Sequence, residues 1–369
     1  MKIAVLTSSR ADYGIYLPLL KQLSVDTSFE VSIIAFGTHC SEKYGKTVKN
    51  ITSDGFPVFA EIDNLLDDDS PLGISQSYAK TAHLFADFWN KNNTFDWVFC
   101  LGDRFEMAAA VNAGVPFNIR FAHIHGGETT LGAIDNVYRH QITLASQLHF
   151  ASLPIFKNRI KEIIGSEDSS TSRVTGSLSL DNLATLDLLS KDEFNTKWNI
   201  DLDLPTILIT IHPETVDFKS NELFAKESIE ALSILLEHYQ LVITMPNADT
   251  AGSIFRNEFI KFGENYPEKV KLIENFGTQS YFTCMKFAKL LLGNTSSGIV
   301  EAASFNKYVI NLGNRQKGRF SGSNVIHVSF NSEAIIKAVK DINNKPYEGE
   351  NPYFRGGATK VIIDAIKRI

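Results

Sequence analysis

The sequence predicts an α/β protein built as two doubly wound parallel-sheet domains facing a cleft. Short apolar runs without alternation recur along the chain, as strands buried on both faces do. Between them lie stretches of ten or more residues with helical spacing, the βαβ rhythm of a parallel sheet. The length of 369 residues exceeds what one hydrophobic core usually organises, which favours two domains.

The first strand is Ile3–Leu6, followed by polar Ser8–Asp12 and a helix marked by Tyr16, Leu17, Leu19, Leu20 and Leu23. Strands are expected at Phe29–Phe36 and Trp97–Leu101, a helix at Met107–Ala113, a strand at Asn118–Ala122, a helix at Ala133–Ser146 and a strand at 149–151. Thr171–Leu204 reads as a boundary: Gly176 and Ser177 end a short strand, and the charged run KDEFNTKWNIDLDLP stops at Pro205. A second series follows, with strands at Thr206–Ile211, Gln240–Thr244, Val270–Ile273, Leu290–Leu292, Lys307–Leu312 and Asn324–Val328, and a helix at Glu227–His238. An amphipathic helix, Gly357–Ile369, follows the bend NPYFRGG. The expected domains are 1–180 and 181–350, with 351–369 crossing back to the first. No fixed-period repeat and no low-complexity segment is visible.

Composition bounds the function. Hydrophobic residues make up 44% and charged residues 21%, as in ordinary globular proteins, which excludes disordered, collagenous and disulfide-scaffold classes. With 36 Lys plus Arg against 42 Asp plus Glu, the net charge of -6 gives no support to nucleic-acid binding by phosphate neutralisation. Cys40, Cys100 and Cys284 form no CxxC, so neither a zinc ribbon nor a thioredoxin-type site is signalled and a reducing compartment is expected. The N-terminal apolar run is too short for a signal-peptide core, and no stretch approaches the roughly 20 residues of a membrane span. A cytoplasmic protein without membrane or nucleic-acid partners is the expectation.

Ligands of doubly wound sheets bind beyond the carboxyl ends of the strands. Arg10 follows the first strand at a helix start, where it is either an anion ligand or a surface Arg near a turn. The segment lacks G-x-G-x-x-G, and no Walker A motif exists, which weighs against nicotinamide, flavin and P-loop enzymes. Asp103, in LGDRFE, is either an acid at the mouth of the cleft or a helix cap paired with Glu106 in a capping box. The stretch HIHGGETTLGAIDNVYRH, residues 123–140, is the richest in titratable groups: His123, His125, Glu128, Asp135, Arg139 and His140. His123 and His125 alternate and would share a strand face, yet no HExxH or carboxylate pair accompanies them, so no metal is expected. Asp135 and Arg139 stand four apart and suit an ordinary helical ion pair. His212 follows the strand TILITI, as a phosphate ligand, a proton donor or a buried structural His. In GNTSSGIVEAA, Ser296, Ser297 and Gly298 can present hydroxyl and N–H groups to phosphate, and Glu301 can accept ribose hydroxyls or simply sit in a helix's first turn. The basic NLGNRQKGRFSGSN, with Arg315, Lys317 and Arg319, either closes over a diphosphate or is a solvated loop.

Together these segments resemble the hydrolysing UDP-N-acetylglucosamine 2-epimerases, the NeuC-type enzymes that open bacterial sialic-acid synthesis. The resemblance rests on SSRADYG at 8–14, GDRFE at 102–106, HIHGGETTLGAID at 123–135, RH at 139–140, HPET at 212–215, NADT at 247–250, GNTSSGIVEA at 293–302 and NRQKGR at 314–319. It spans nearly the whole chain in order. It implies a glycosyltransferase-B-like fold, with UDP held mainly by the second domain. Arg10, His212, Ser296 and Ser297 would contact the phosphates and Glu301 the ribose. The backbone near Phe276 would meet uracil, Arg319 would lie near the diphosphate, and Asn247 would be a cleft residue. Asp103, Glu128 and Asp135 are the implied acid and base candidates, with His212 also near the reaction. Where one branch of the family has a catalytic Glu this chain has His125, so either His125 takes that role or Glu128 is displaced into it.

The implied chemistry is anti elimination of UDP through 2-acetamidoglucal, then water addition, giving N-acetylmannosamine and UDP with no cofactor. The same chemistry on UDP-2,4-diacetamido-2,4,6-trideoxyglucose is the alternative. A non-hydrolysing 2-epimerase, a glycosyltransferase and a non-catalytic nucleotide-sugar binder are more distant ones. A homodimer or homotetramer is implied by the family.

Overall fold

The computed structural model describes residues 1–369 apart from 167, 247–248 and 343–344. The chain divides into two compact units, and neither is a continuous stretch of sequence. The first comprises Met1–Glu128, Asp135–Thr185 and Tyr353–Ile369; the second comprises Thr129–Ile134 and Leu186–Pro352.

The first unit is built on seven strands: β1 (Lys2–Thr7), β2 (Glu30–Phe36), β3 (Val58–Ile62), β4 (Trp97–Leu101), β5 (Phe121–Ile124), β6 (Leu148–Ala151) and β7 (Ser172–Val174). Their order is β3-β2-β1-β4-β5-β6-β7, and every pairing is parallel. The residues of β1 show why such a strand carries no alternating pattern. Ile3 and Val5 face one core, shared with Leu19, Leu20 and Leu23 of the helix Arg10–Val25. Ala4 and Leu6 face the other, shared with Phe85, Trp89, Met107 and Val111. Both faces are dry, and burying each such aliphatic side chain contributes about 1.5–3 kcal/mol. The C-terminal helix Ala358–Lys367 lays Ile362 and Ile366 on the first of these cores. Asp181 caps that helix, its carboxylate accepting from the N–H groups of Ala358 (3.0 Å) and Thr359 (2.6 Å).

The second unit repeats the plan with six strands: β8 (Thr206–Thr210), β9 (Gln240–Thr244), β10 (Val270–Ile273), β11 (Leu290–Gly293), β12 (Val309–Leu312) and β13 (Val325–Val328). The order is β10-β9-β8-β11-β12-β13, again all parallel. Both sheets therefore have a point where the strand order reverses: between β1 and β4 in one, between β8 and β11 in the other. These are the places where doubly wound sheets take ligands. Gly293 ends β11 at φ +142°, and a Cβ there would overlap the carbonyl oxygen of Thr210 on β8. Only glycine lets the two strand ends meet.

Several elements have no counterpart in the sequence expectations, among them β3 and the helices Pro71–Lys91, Pro154–Ile164, Gly252–Asn265, Gly277–Phe287 and Ser332–Ile342. Two are displaced: the helix expected at Glu227–His238 lies at Asn221–Leu235, and the strand expected at Asn118–Ala122 lies at Phe121–Ile124, because Asn118 adopts φ +53° and closes a short 3-10 turn first. Among the described residues no helix is long and apolar enough to cross a membrane.

Candidate active site

In the first unit the chemistry-bearing residues gather where β1, β4 and β5 end. After β1, Ser9 caps the helix Arg10–Val25 by accepting from the Asp12 N–H. The buried Asp12 carboxylate folds back onto Ser8, accepting from its N–H (3.0 Å) and its hydroxyl (2.7 Å). Burial raises the pKa of Asp12, with the Arg104 charge pulling it down. Arg10 occupies the first helical position and is half-buried.

After β4 come Asp103 and Arg104. The capping box weighed for Asp103 and Glu106 does not form. Arg104 stands at the N-cap of the helix Phe105–Gly114 without a side-chain cap bond. Its Nε donates instead to Glu106 Oε1 at 2.6 Å. Glu106 is wholly buried, which raises its pKa against the pull of Arg104. Asp103 is left to face another partner.

That partner is Arg139, on the helix Asp135–Ala145, whose inward face is Arg139, Ile142 and Thr143. Its Nη2 donates to Asp103 Oδ2. Its Nη1 reaches Glu128 Oε2 (3.4 Å) and the His125 carbonyl (3.3 Å). Glu128 Oε1 accepts from Ser152 Oγ (2.7 Å) and lies 2.9 Å from His125 Nδ1. His125 Nε2 lies 3.4 Å from Ser177 Oγ. Exposure grades this network: Glu128 is 0% exposed and His125 7%, while the Asp103 side chain is 26% exposed. The loop that presents it needs Gly127, at φ +75°, where a Cβ would overlap the Phe156 carbonyl oxygen.

The two histidines expected on one strand face part company. His123 lies inside β5, its Nε2 2.8 Å from the Gly102 carbonyl, and burial drives its pKa down to about 3. It is neutral and ties β5 to the turn after β4. His125 lies beyond the strand end in the left-handed region, at φ +65°. Asp135 opens the helix that carries Arg139 and is half-buried. Among the described residues no group of three or more His, Cys, Asp and Glu side chains is placed to hold a metal ion.

In the second unit, His212 follows β8 and is buried. Asn294, just past β11, grips its backbone from both sides: Oδ1 accepts from the His212 N–H (2.7 Å), and Nδ2 donates to the His212 carbonyl (2.9 Å). Gln316 Nε2 in turn donates to the Asn294 carbonyl at 2.8 Å. Arg315 is a brace. Its guanidinium donates to the Pro213 carbonyl (2.7 Å) and to Asp249 (2.8 Å), and the residue is 8% exposed. Glu214 accepts from the Asn314 N–H. The loops HPET and NRQKGR are thus fixed to each other. The segment Thr129–Ile134 is fixed to both, Ile134 N–H donating to Thr215 Oγ1 and Leu131 N–H to the Lys317 carbonyl, each at 2.9 Å.

Thr295 caps the short helix Ser296–Val300, its side chain accepting from the Ser297 N–H. Ser296 is exposed, Ser297 half-buried, and Glu301 buried at the far end. Arg319 donates from Nη1 to Gln316 Oε1 at 2.9 Å. The Phe276 ring belongs to the core, packed against Phe194 and Trp198, so only its backbone is left for a ligand. Asn247 lies outside the described residues.

The family model described as UDP-N-acetylglucosamine 2-epimerase matches residues 21–367. The chain belongs to that family. It is 32% identical to "Polysialic acid biosynthesis protein P7" of Escherichia coli, over 99% of this chain and 94% of that one. It is also 32% identical to the "UDP-N,N'-diacetylbacillosamine 2-epimerase (hydrolyzing)" of Legionella pneumophila, over 100% of this chain and 96% of that one. Its fold is that of the Neisseria meningitidis UDP-GlcNAc 2-epimerase crystallised with UDP-GlcNAc, with a TM-score of 0.81, 18% identity and full coverage of both chains. The glycosyltransferase-B-like architecture expected from the resemblance is the one found.

For this member of the 2-epimerase family, the structure brings Asp103, His125 and Glu128 into one hydrogen-bonded cluster, with Asp135 one helical turn before its Arg139. It brings His212 together with Asn294, Gln316 and Arg319. Sequence reasoning missed Asn294 and the bracing role of Arg315. The signal available for Asn294 was its place directly after a glycine at a strand end.

Proposed function

We propose that this protein is a hydrolysing 2-epimerase that converts UDP-N-acetylglucosamine and water to N-acetylmannosamine and UDP. The observation that carries the reading is the Asp103–Arg139–Glu128–His125 network at the reversal point of the first sheet, in a chain of the 2-epimerase family. Such chemistry needs groups that take a weakly acidic proton from C2 and later return one to the opposite face. It also needs stabilisation of the departing diphosphate. We assign the proton transfers to residues among Asp103, His125, Glu128 and Asp135. Arg10, His212, Ser296 and Ser297 serve the phosphates, Arg319 the diphosphate, Glu301 the ribose and the Phe276 backbone the uracil. Elimination followed by hydration is redox-neutral, so it calls for no redox cofactor. A homodimer or homotetramer in the cytoplasm goes with this assignment.

A second substrate is supported by the names of two relatives at 32% identity, both given as hydrolysing epimerases of N,N'-diacetylbacillosamine nucleotides. That sugar differs by an acetamido group at C4 and a deoxygenated C6, and the same chemistry applies to it.

Purified protein is incubated with UDP-N-acetylglucosamine in deuterated water, without acceptor or cofactor, and followed by proton and phosphorus NMR. Free UDP and N-acetylmannosamine deuterated at C2 are expected. A faster reaction with UDP-N,N'-diacetylbacillosamine would make that the preferred substrate. Binding of UDP-sugar without UDP release from either compound would reject hydrolysing epimerisation.

A further inference from the structure

We propose that His125 is the catalytic residue that accepts the C2 proton, through Nε2, and that Glu128 is its positioning residue rather than a base in its own right. The proposal rests on the 2-epimerase reading above and divides labour within its acid–base cluster.

Three observations carry it. The first is saturation of Glu128. Oε1 receives Ser152 Oγ and faces His125 Nδ1, and Oε2 receives Arg139 Nη1. With no exposed surface, Glu128 has no face to offer a sugar carbon. The second is the tautomer these partners impose. A guanidinium can only donate, so the Glu128 carboxylate beside it is an acceptor. His125 Nδ1, 2.9 Å from Oε1, then carries the proton, and the lone pair of a neutral imidazole is at Nε2. Among the described residues Nε2 meets one long contact, Ser177 Oγ at 3.4 Å, which a substrate can displace. The third is the backbone. His125 holds φ +65°, uncommon for a residue other than glycine and a conformation that clusters at functional sites. The turn carries His125 out of the sheet while its N–H stays bonded to the Phe150 carbonyl at 2.9 Å.

The step balances. The C2–H bond breaks and its proton goes to the Nε2 lone pair. The electron pair becomes the C1–C2 π bond, and the C1–O bond breaks with its pair on the departing UDP oxygen. The imidazolium is held against the Glu128 carboxylate and later returns its proton to solvent. Hydration then places a water oxygen on C1 and a proton on C2 from the opposite face. The Asp103 carboxylate, the most exposed of the cluster and an acceptor beside Arg139, takes a proton from that water and passes it to C2, so it ends as it began.

The test uses the full-length enzyme and the variants His125→Asn and Glu128→Gln, asparagine being tolerant of the left-handed backbone. For His125→Asn, kcat on the sugar nucleotide should fall on the order of 100-fold with KM within about threefold. Hydration of supplied 2-acetamidoglucal should stay within about threefold of wild type if its proton comes from Asp103. Nitrogen-15 NMR of wild type should show His125 as the Nδ1–H tautomer, and Glu128→Gln should lose that fixed tautomer together with kcat. A wild-type kcat in His125→Asn, or an Nε2–H tautomer in the wild-type protein, overturns the proposal. So does a Glu128→Gln variant that loses kcat while His125 keeps its tautomer. If the wild type releases no UDP from either sugar nucleotide, the epimerase reading fails, and the tautomer measurement still decides the pairing of His125 with Glu128.

Discussion

Arg139 holds two carboxylates on one guanidinium, and its geometry makes it hard to replace. Lysine has the charge but a single compact head, and cannot reach Asp103 and Glu128 in two directions at once. Arg139→Lys should therefore lower kcat by about tenfold or more while leaving UDP binding intact, as read by steady-state kinetics and calorimetry. Arg139→Leu removes a guanidinium that pairs with the fully buried Glu128, and should cost about 3–5 kcal/mol in urea unfolding. The sequence shows Arg139 only as a neighbour of Asp135 four residues away, because spacing along a helix is all that a linear text displays. Its structural partner Asp103 lies 36 residues upstream, and the pairing exists only once β4 and β5 are side by side. The same holds for Asn294 and His212, 82 residues apart. His125, Glu128 and Asp103 were legible as candidates because titratable residues after buried strands stand out without any knowledge of their partners.

At the scale of elements, the strands were the most legible part. A strand buried on both faces is apolar throughout, and β4, β9 and β10 lie at the residues their apolar runs indicate. The helix Pro71–Lys91 was hidden because two of its inward positions are polar. Ser77 and Thr81 share the buried face with Ile74, Phe85 and Trp89, and they earn no hydrophobic signal. Ser77 Oγ accepts the Leu66 N–H and Thr81 Oγ1 accepts Asn64 Nδ2, so these side chains hold the loop after β3. The strand ends at the reversal point of the second sheet depend on one residue. Gly293→Ala should place a methyl group against the Thr210 carbonyl at a φ that alanine rarely adopts. A loss of about 3 kcal/mol or more in unfolding free energy, or failure to recover folded protein, is the expected outcome.

For the whole molecule, acid should be more damaging than the mild net charge suggests. Burial lowers the pKa of His39, His123 and His149 to about 4, 3 and 4. An unfolded histidine titrates near 6.5, so each of these binds its proton more readily when unfolded. Their stabilising share is complete above pH 6.5 and is lost as pH falls toward 4. Asp12 and Glu106, whose pKa values are raised, act in the opposite sense, so a comparison of variants is the clean measurement. His149 Nδ1 has no hydrogen-bond partner among the described residues. His149→Met should therefore lose less unfolding free energy than wild type between pH 7.5 and pH 5, by about 2 kcal/mol in urea titrations. Finally, the chain changes unit after Glu128, Ile134, Thr185 and Pro352, and this limits how such a protein can be rearranged. A single crossover in the middle of the gene would join a first unit to another parent's version of the helix that Asp181 caps, and a second unit to another parent's Thr129–Ile134, whose Leu131 and Ile134 bond to Lys317 and Thr215. Exchanging the first unit between relatives must therefore move three separate stretches together, and exchanging the second must move two, so short substitutions at strand ends are the easier route for this architecture to diversify.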